Sequence, residues 1–152
     1  MSDTTALTTL MKAGIEHLLE KLFGEVIVPQ AVADELALHH AALPSWCRVR
    51  SVRDPGEVRA LCERLDIGEA EAIRLAIELK ADVILVDEKK GRREAEALGL
   101  LCLALPAMLV QAKRRQLITS VREALRLLEQ KGRYKVRADA ERLLLESVGE
   151  AG

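Results

Sequence analysis

Apolar positions along the chain follow two rhythms. Three short runs, residues 25–29 (EVIVP), 83–87 (VILVD) and 100–105 (LLCLAL), are apolar without alternation. Strands covered on both faces look like this, so a mostly parallel central sheet is expected. Between the runs the spacing changes to three and four. Pro29 stops the first run ahead of a helix over residues 31–40, and Gly68 precedes a helix over residues 69–80, where Ala72, Ile73, Ala76, Ile77 and Leu79 keep helical period. Residues 89–98 read as a further helix ended by Gly99, and residues 46–52 as a weak edge strand. Strand, helix, strand, helix, strand is a doubly wound α/β pattern. Residues 107–115, 121–131 and 139–148 are amphipathic with no further strand, which predicts a helical extension from about residue 106 to 152 packed on the same core. No repeat, low-complexity tract or flexible linker interrupts the chain, and residues 1–152 read as one domain.

Composition narrows the class. A chain of 152 residues can bury a core without staples, and nearly half of it is apolar. Phe23, Trp46 and Tyr134 are its only aromatic residues, so Leu, Ile, Val and Ala must build the core. Cys47, Cys62 and Cys102 are odd in number and lack metal-ligand spacing, which reads as reduced thiols serving as buried small apolar residues in a cytosolic protein. The opening residues lack a signal-peptide pattern, and the longest apolar run is broken by Pro106, so a cytoplasmic, non-membrane protein is expected. Residues 1–88 carry 9 basic and 16 acidic groups, whereas residues 89–152 carry 14 basic and 8 acidic ones. That asymmetry suits an ion site beside an anion-binding surface; it is equally what charges interleaving on a folded surface would give.

Sites in open parallel sheets form beyond the carboxyl ends of the strands. Asp87 ends VILVD, where a partly desolvated carboxylate is stabilised by a cation or basic partner, or else caps the next helix. Glu69 and Glu71 open the helix after Gly68, where the helix dipole favours acids in any case. Asp3 precedes a helix-like run and suits an N-cap; Glu35 borders the apolar positions Val32 and Leu36. Together these carboxylates suit a hard divalent ion, since Mg²⁺ and Mn²⁺ take oxygen ligands and keep waters that a phosphate can replace. Lys89, Lys90, Arg92 and Arg93 crowd a helix start, the end where the dipole disfavours cations; contact with a phosphate backbone or a solvated basic turn would each account for them. No nucleophile elbow, phosphate-binding glycine loop or zinc spacing is present, and His39 and His40, being adjacent, diverge on a helix and join His17 as surface residues.

The ordered set Ser2-Asp3-Thr4-Thr5, EVIVPQAVADEL (residues 25–36), LDIGEAEAI (65–73) and VILVDEKKGRREAEALGL (83–100) resembles the PIN-domain superfamily, in particular a small prokaryotic, toxin-like branch of nucleases. The resemblance implies a three-layer α/β/α fold in which Asp3, Glu35, Glu69 and Asp87 converge on Mg²⁺ or Mn²⁺, with Glu71 as a substitute for Glu69. Thr4 or Thr5 would position water or phosphate. It also implies a metal-dependent endoribonuclease in which water attacks an RNA phosphodiester in line and a 3′-hydroxyl leaves. A small antitoxin protein and a homodimer are the partners such relatives suggest. One departure stands out: relatives open with a hydrophobic strand that delivers the first Asp, whereas here only Met1 and Ser2 precede Asp3. The alternative reading is a catalytically impaired PIN-like module that acts by binding a partner protein.

Overall fold

The computed structural model describes residues 4–39 and 42–150, apart from the side chains of Thr4 and Thr5. Among these residues nine helices alternate with four short strands, all pairing in parallel, so the mixed α/β class is as expected. The chain packs as two compact units.

The first unit runs from Glu25 to Leu103 and includes the start of α1 (Thr4–Ala13). Here β1 (Val26–Pro29) pairs with β2 (Cys47–Arg50), and β3 (Ile84–Leu85) with β4 (Cys102–Leu103). The weak edge strand is thus real, but the sheet consists of two two-stranded pairs. Val26 N–H donates to the Trp46 carbonyl, and Ile84 and Val86 N–H donate to the Leu101 and Leu103 carbonyls. Because strand residues alternate, the backbones of Ile27 and Leu85 turn away from these partners, and among the described residues neither β1 nor β3 has a second strand neighbour.

Helices α3 (Gln30–Leu38), α4 (Pro55–Leu61), α5 (Ile67–Glu78) and α6 (Lys89–Ala97) complete the unit. Helix α4 was not evident from apolar period, yet Asp54-Pro55 announces it: Asp54 accepts from Gly56 N–H at 3.1 Å, and proline suits the first turn. Helix α5 starts two residues earlier than predicted because Asp66 accepts the Glu69 N–H at 2.8 Å, placing Gly68 inside the helix. Its Ala70, Ala72, Ile73 and Ala76 form one core with Val58, Leu61, Leu65, Ile84, Val86 and Ala95. Near its end Glu78 accepts the Arg53 and Asp54 N–H groups and Arg74 Nε. Burial pushes this carboxyl upward, but those hydrogen bonds outweigh it and hold the group below its ordinary value. The other pole of the helix is tied through Glu71, whose Oε1 accepts the Ala31 N–H at 2.9 Å. Pro29, the N-cap residue of α3, has no side-chain acceptor, so Glu71 supplies it from a neighbouring helix.

The second unit takes residues 8–24 and those from Ala104 onward, so the C-terminal helices pack with an early segment of the chain. It contains α2 (His17–Phe23), α7 (Leu105–Arg114), α8 (Val121–Gly132) and α9 (Ala138–Ser147). Leu105, expected to close a strand, instead opens α7: Pro106 fixes a helical φ in the first turn, where its missing N–H costs nothing. Leu10, Leu18, Leu19, Met108, Leu109 and Leu128 are its main fully buried side chains. Gly132 lies against Thr9, where a Cβ would sit 3.1 Å from the Thr9 carbonyl oxygen.

Glu150 ties down the C-terminal segment of this unit. Its carboxylate accepts from Lys113 Nζ at 2.8 Å, Ser120 Oγ at 2.9 Å, Val121 N–H at 2.7 Å and Arg122 N–H at 3.2 Å. Two of these donors are orphan amides of the first turn of α8, whose dipole also favours an anion there. Burial acts to raise this carboxyl, but the four hydrogen bonds win and hold it at about 2.

The expectation for the cysteines is also corrected. The three cysteines are free thiols, and Cys47 is buried with its thiol pushed up to about 11 by burial, but Cys62 is exposed. It follows Leu61 as the C-cap of α4, at the end of the helix where burial stops.

Two outcomes follow from these carboxylates. Because the Glu150 carboxyl is held below its unfolded value of 4.5, its contribution is complete above that pH and fades as pH falls toward about 2. Unfolding midpoints of wild type should therefore decline across that interval, and Glu150→Gln should flatten the decline and cost about 1–2 kcal/mol at neutral pH. For Glu71→Ala, the Ala31 amide loses its acceptor; hydrogen exchange at that amide should accelerate roughly tenfold, an opening about 1.4 kcal/mol easier.

Candidate active site

The predicted acids are distributed within the first unit as follows. Glu69 stands in the first turn of α5, fixed by the Asp66 cap, and its residue is only 4% exposed. It is one of two buried polar residues among those described, the other being Thr9. Asp87 lies two residues beyond β3 and is half-buried, next to the fully buried Val86. The two segments meet at Gly91 of α6: a Cβ built there would overlap Glu69 Oε2 and stand 3.0 Å from Val86 Cγ1. Glu69 thus brings its carboxylate to the first turn of α6, beside Val86, the residue between β3 and Asp87.

Glu71 is two residues farther along α5, and one of its oxygens is committed to capping α3. Of the pair, Glu69 is the one whose carboxylate lies by the strand end. Glu35 is on α3 and is exposed. Asp3 lies outside the described residues, as does His40, and so do the side chains of Thr4 and Thr5 at the start of α1. Among the described residues no three His, Cys, Asp or Glu side chains form a group able to hold a metal ion.

Helix α6 begins at Lys89, as predicted, with Glu88 as an N-cap residue that makes no side-chain cap. Lys89, Lys90 and Arg93 are exposed and Arg92 is half-buried. The basic segment therefore starts two residues after Asp87, in the same turn against which the Glu69 carboxylate lies. Of the basic groups after residue 88, Lys89, Lys90, Arg92 and Arg93 share the first unit with these acids, and Arg64 holds Glu94 of α6 at 2.8 Å.

Sequence reasoning singled out Glu69, Asp87 and the cations but passed over Gly91, which it treated only as part of a basic run. A glycine inside a predicted helix was the available signal, since helices disfavour it without a spatial reason.

Carboxylate oxygens are the donors that Mg²⁺ and Mn²⁺ prefer, and such ions are commonly held by one or two carboxylates plus waters and substrate phosphate. The carboxylates of Glu69 and Asp87 are oxygen donors of that type. Among the described residues no helix is long and apolar enough to cross a membrane. No curated protein and no solved structure matches the chain. A family model described as a PIN domain matches residues 1–150, across both compact units, and it accords with the α/β class. The chain therefore belongs to the PIN-domain family of nuclease-type modules.

Proposed function

We propose that this chain is a divalent-metal-dependent ribonuclease that hydrolyses RNA phosphodiesters. The observation that carries the reading is the buried Glu69 carboxylate lying at the strand end that bears Asp87, with a basic helix start immediately after it. Asp3 and Glu35 complete the donor set in this reading. A bound Mg²⁺ or Mn²⁺ supplies charge compensation and an ordered water. The protein's own groups do the rest: Glu69 and Asp87 hold and orient the ion, and Lys89, Lys90, Arg92 and Arg93 engage the phosphate backbone without reading bases. Thr4 and Thr5 position water or phosphate. The near absence of aromatic side chains argues against base stacking, so selectivity rests on shape or on a partner. Action as a cytoplasmic toxin held by a small antitoxin, homodimer formation and the working of both compact units as one domain belong to the same proposal.

A second reading has one observation in its favour. The far edges of β1 and β3 have no strand neighbour among the described residues, and such edges accept added strands. In that reading the protein is a catalytically impaired PIN-like module that works by binding a partner.

Thermal unfolding with chelator, Mg²⁺ and Mn²⁺, at matched ionic strength, separates the two. At roughly 100 times Kd an ion that binds only the native state adds about 2.7 kcal/mol, a rise of roughly 5–10 °C for a chain of this size. Wild type should show that rise and cleave RNA, whereas Asp87→Asn should show neither while keeping its midpoint in chelator. No ion response in wild type, even at millimolar concentration, would move the case to the partner-binding reading.

A further inference from the structure

Gly91 stands where the backbone does not ask for glycine. It lies inside α6 and its φ is outside the left-handed region, so alanine would be the better helix former at this position. What glycine supplies here is space. A Cβ would overlap Glu69 Oε2, stand 3.4 Å from the Glu69 carboxyl carbon and press on Val86 Cγ1 at 3.0 Å. Val86 is fully buried and β-branched, with few rotamers to escape into. The Glu69 side chain is nearly as enclosed, and its backbone is pinned by the Asp66 cap. A methyl group at position 91 would therefore be accommodated chiefly by moving the carboxylate.

We infer that Gly91 is a positioning residue: its missing side chain is the seat in which the Glu69 carboxylate lies, and it sets the direction from which that carboxylate meets a divalent ion. This rests on the metal-centre reading above. The seat is in the first turn of α6, so the glycine fixes the place of the carboxylate beside the turn that follows Asp87. The sequence KKGRR then has two functions: its cations flank the site, and its glycine leaves the site open.

The test is a double-mutant cycle in the full chain with Gly91→Ala, Glu69→Asp and both together, titrated with Mn²⁺ alone. Binding is read from water-proton relaxation and from the unfolding midpoint. Gly91→Ala should weaken Mn²⁺ binding roughly 10- to 100-fold, the range for residues that orient a metal ligand. Glu69→Asp on the natural background should weaken it too, because the shortened arm leaves the seat unfilled. Added to Gly91→Ala, the same shortening withdraws the carboxylate from the new methyl group and should recover part of the lost Mn²⁺ affinity, a readout separate from the midpoint in chelator. The cycle in chelator should show the same sign of coupling in the midpoints. Unchanged Mn²⁺ affinity in Gly91→Ala, or penalties that simply add, would overturn the inference while leaving the metal centre intact. A wild type that binds no Mn²⁺ would overturn the metal-centre reading itself and the positioning role with it.

Discussion

The burial of α5 is the constraint on which the first unit depends. This helix lies against β1, β3, α3 and α4, and its Ala70, Ala72, Ile73, Leu75 and Ala76 are removed from water. Three alanines among those five let neighbouring backbones approach closely, an economical way to build a tight core with almost no aromatic volume. A helix enclosed to this degree has little tolerance for charge, yet it carries Glu69, Glu71 and Glu78. Glu71 caps α3, and Glu78 gathers the amides ahead of α4. Each satisfies backbone donors that would otherwise be stranded, so the acids of α5 knit the elements around it.

Glu69 differs from these two in where its carboxylate is directed. It points toward the end of β3 and the start of α6. Its placement follows from the cap: Asp66 fixes the first turn of α5, the first turn sets the exit of the Glu69 side chain, and Gly91 leaves the room to receive it. A carboxylate so enclosed is costly unless charge or hydrogen bonds compensate it, and enclosed carboxylates of this kind concentrate at functional sites.

Much of the first unit was legible because its signals are local. EVIVP and the segment around VILVD gave β1 and β3 through unbroken apolar runs, and Gly99, at φ 84°, ended α6 as expected. What was not legible depended on partners far apart in sequence. That Glu71 caps α3 needs a contact across 40 residues, and no apolar period encodes it. The grouping of residues 8–24 with the C-terminal helices likewise rests on packing between remote segments, as does the spatial demand on Gly91. Leu105 was misread for a different reason: an apolar run cannot separate a buried strand from the first turn of a buried helix, and Pro106 was the arbiter.

The start of α6 combines features that oppose each other in isolation. Lys89 and Lys90 occupy the end of a helix where the dipole repels cations, a penalty of roughly 0.3–1 kcal/mol each for exposed groups at low salt. The carboxylate of Glu69 against the same turn, with Asp87 and Glu88 just before it, offsets that repulsion locally. Acids and bases thus stand in one short segment, where the carboxylates lower the cost that the dipole alone would place on the cations.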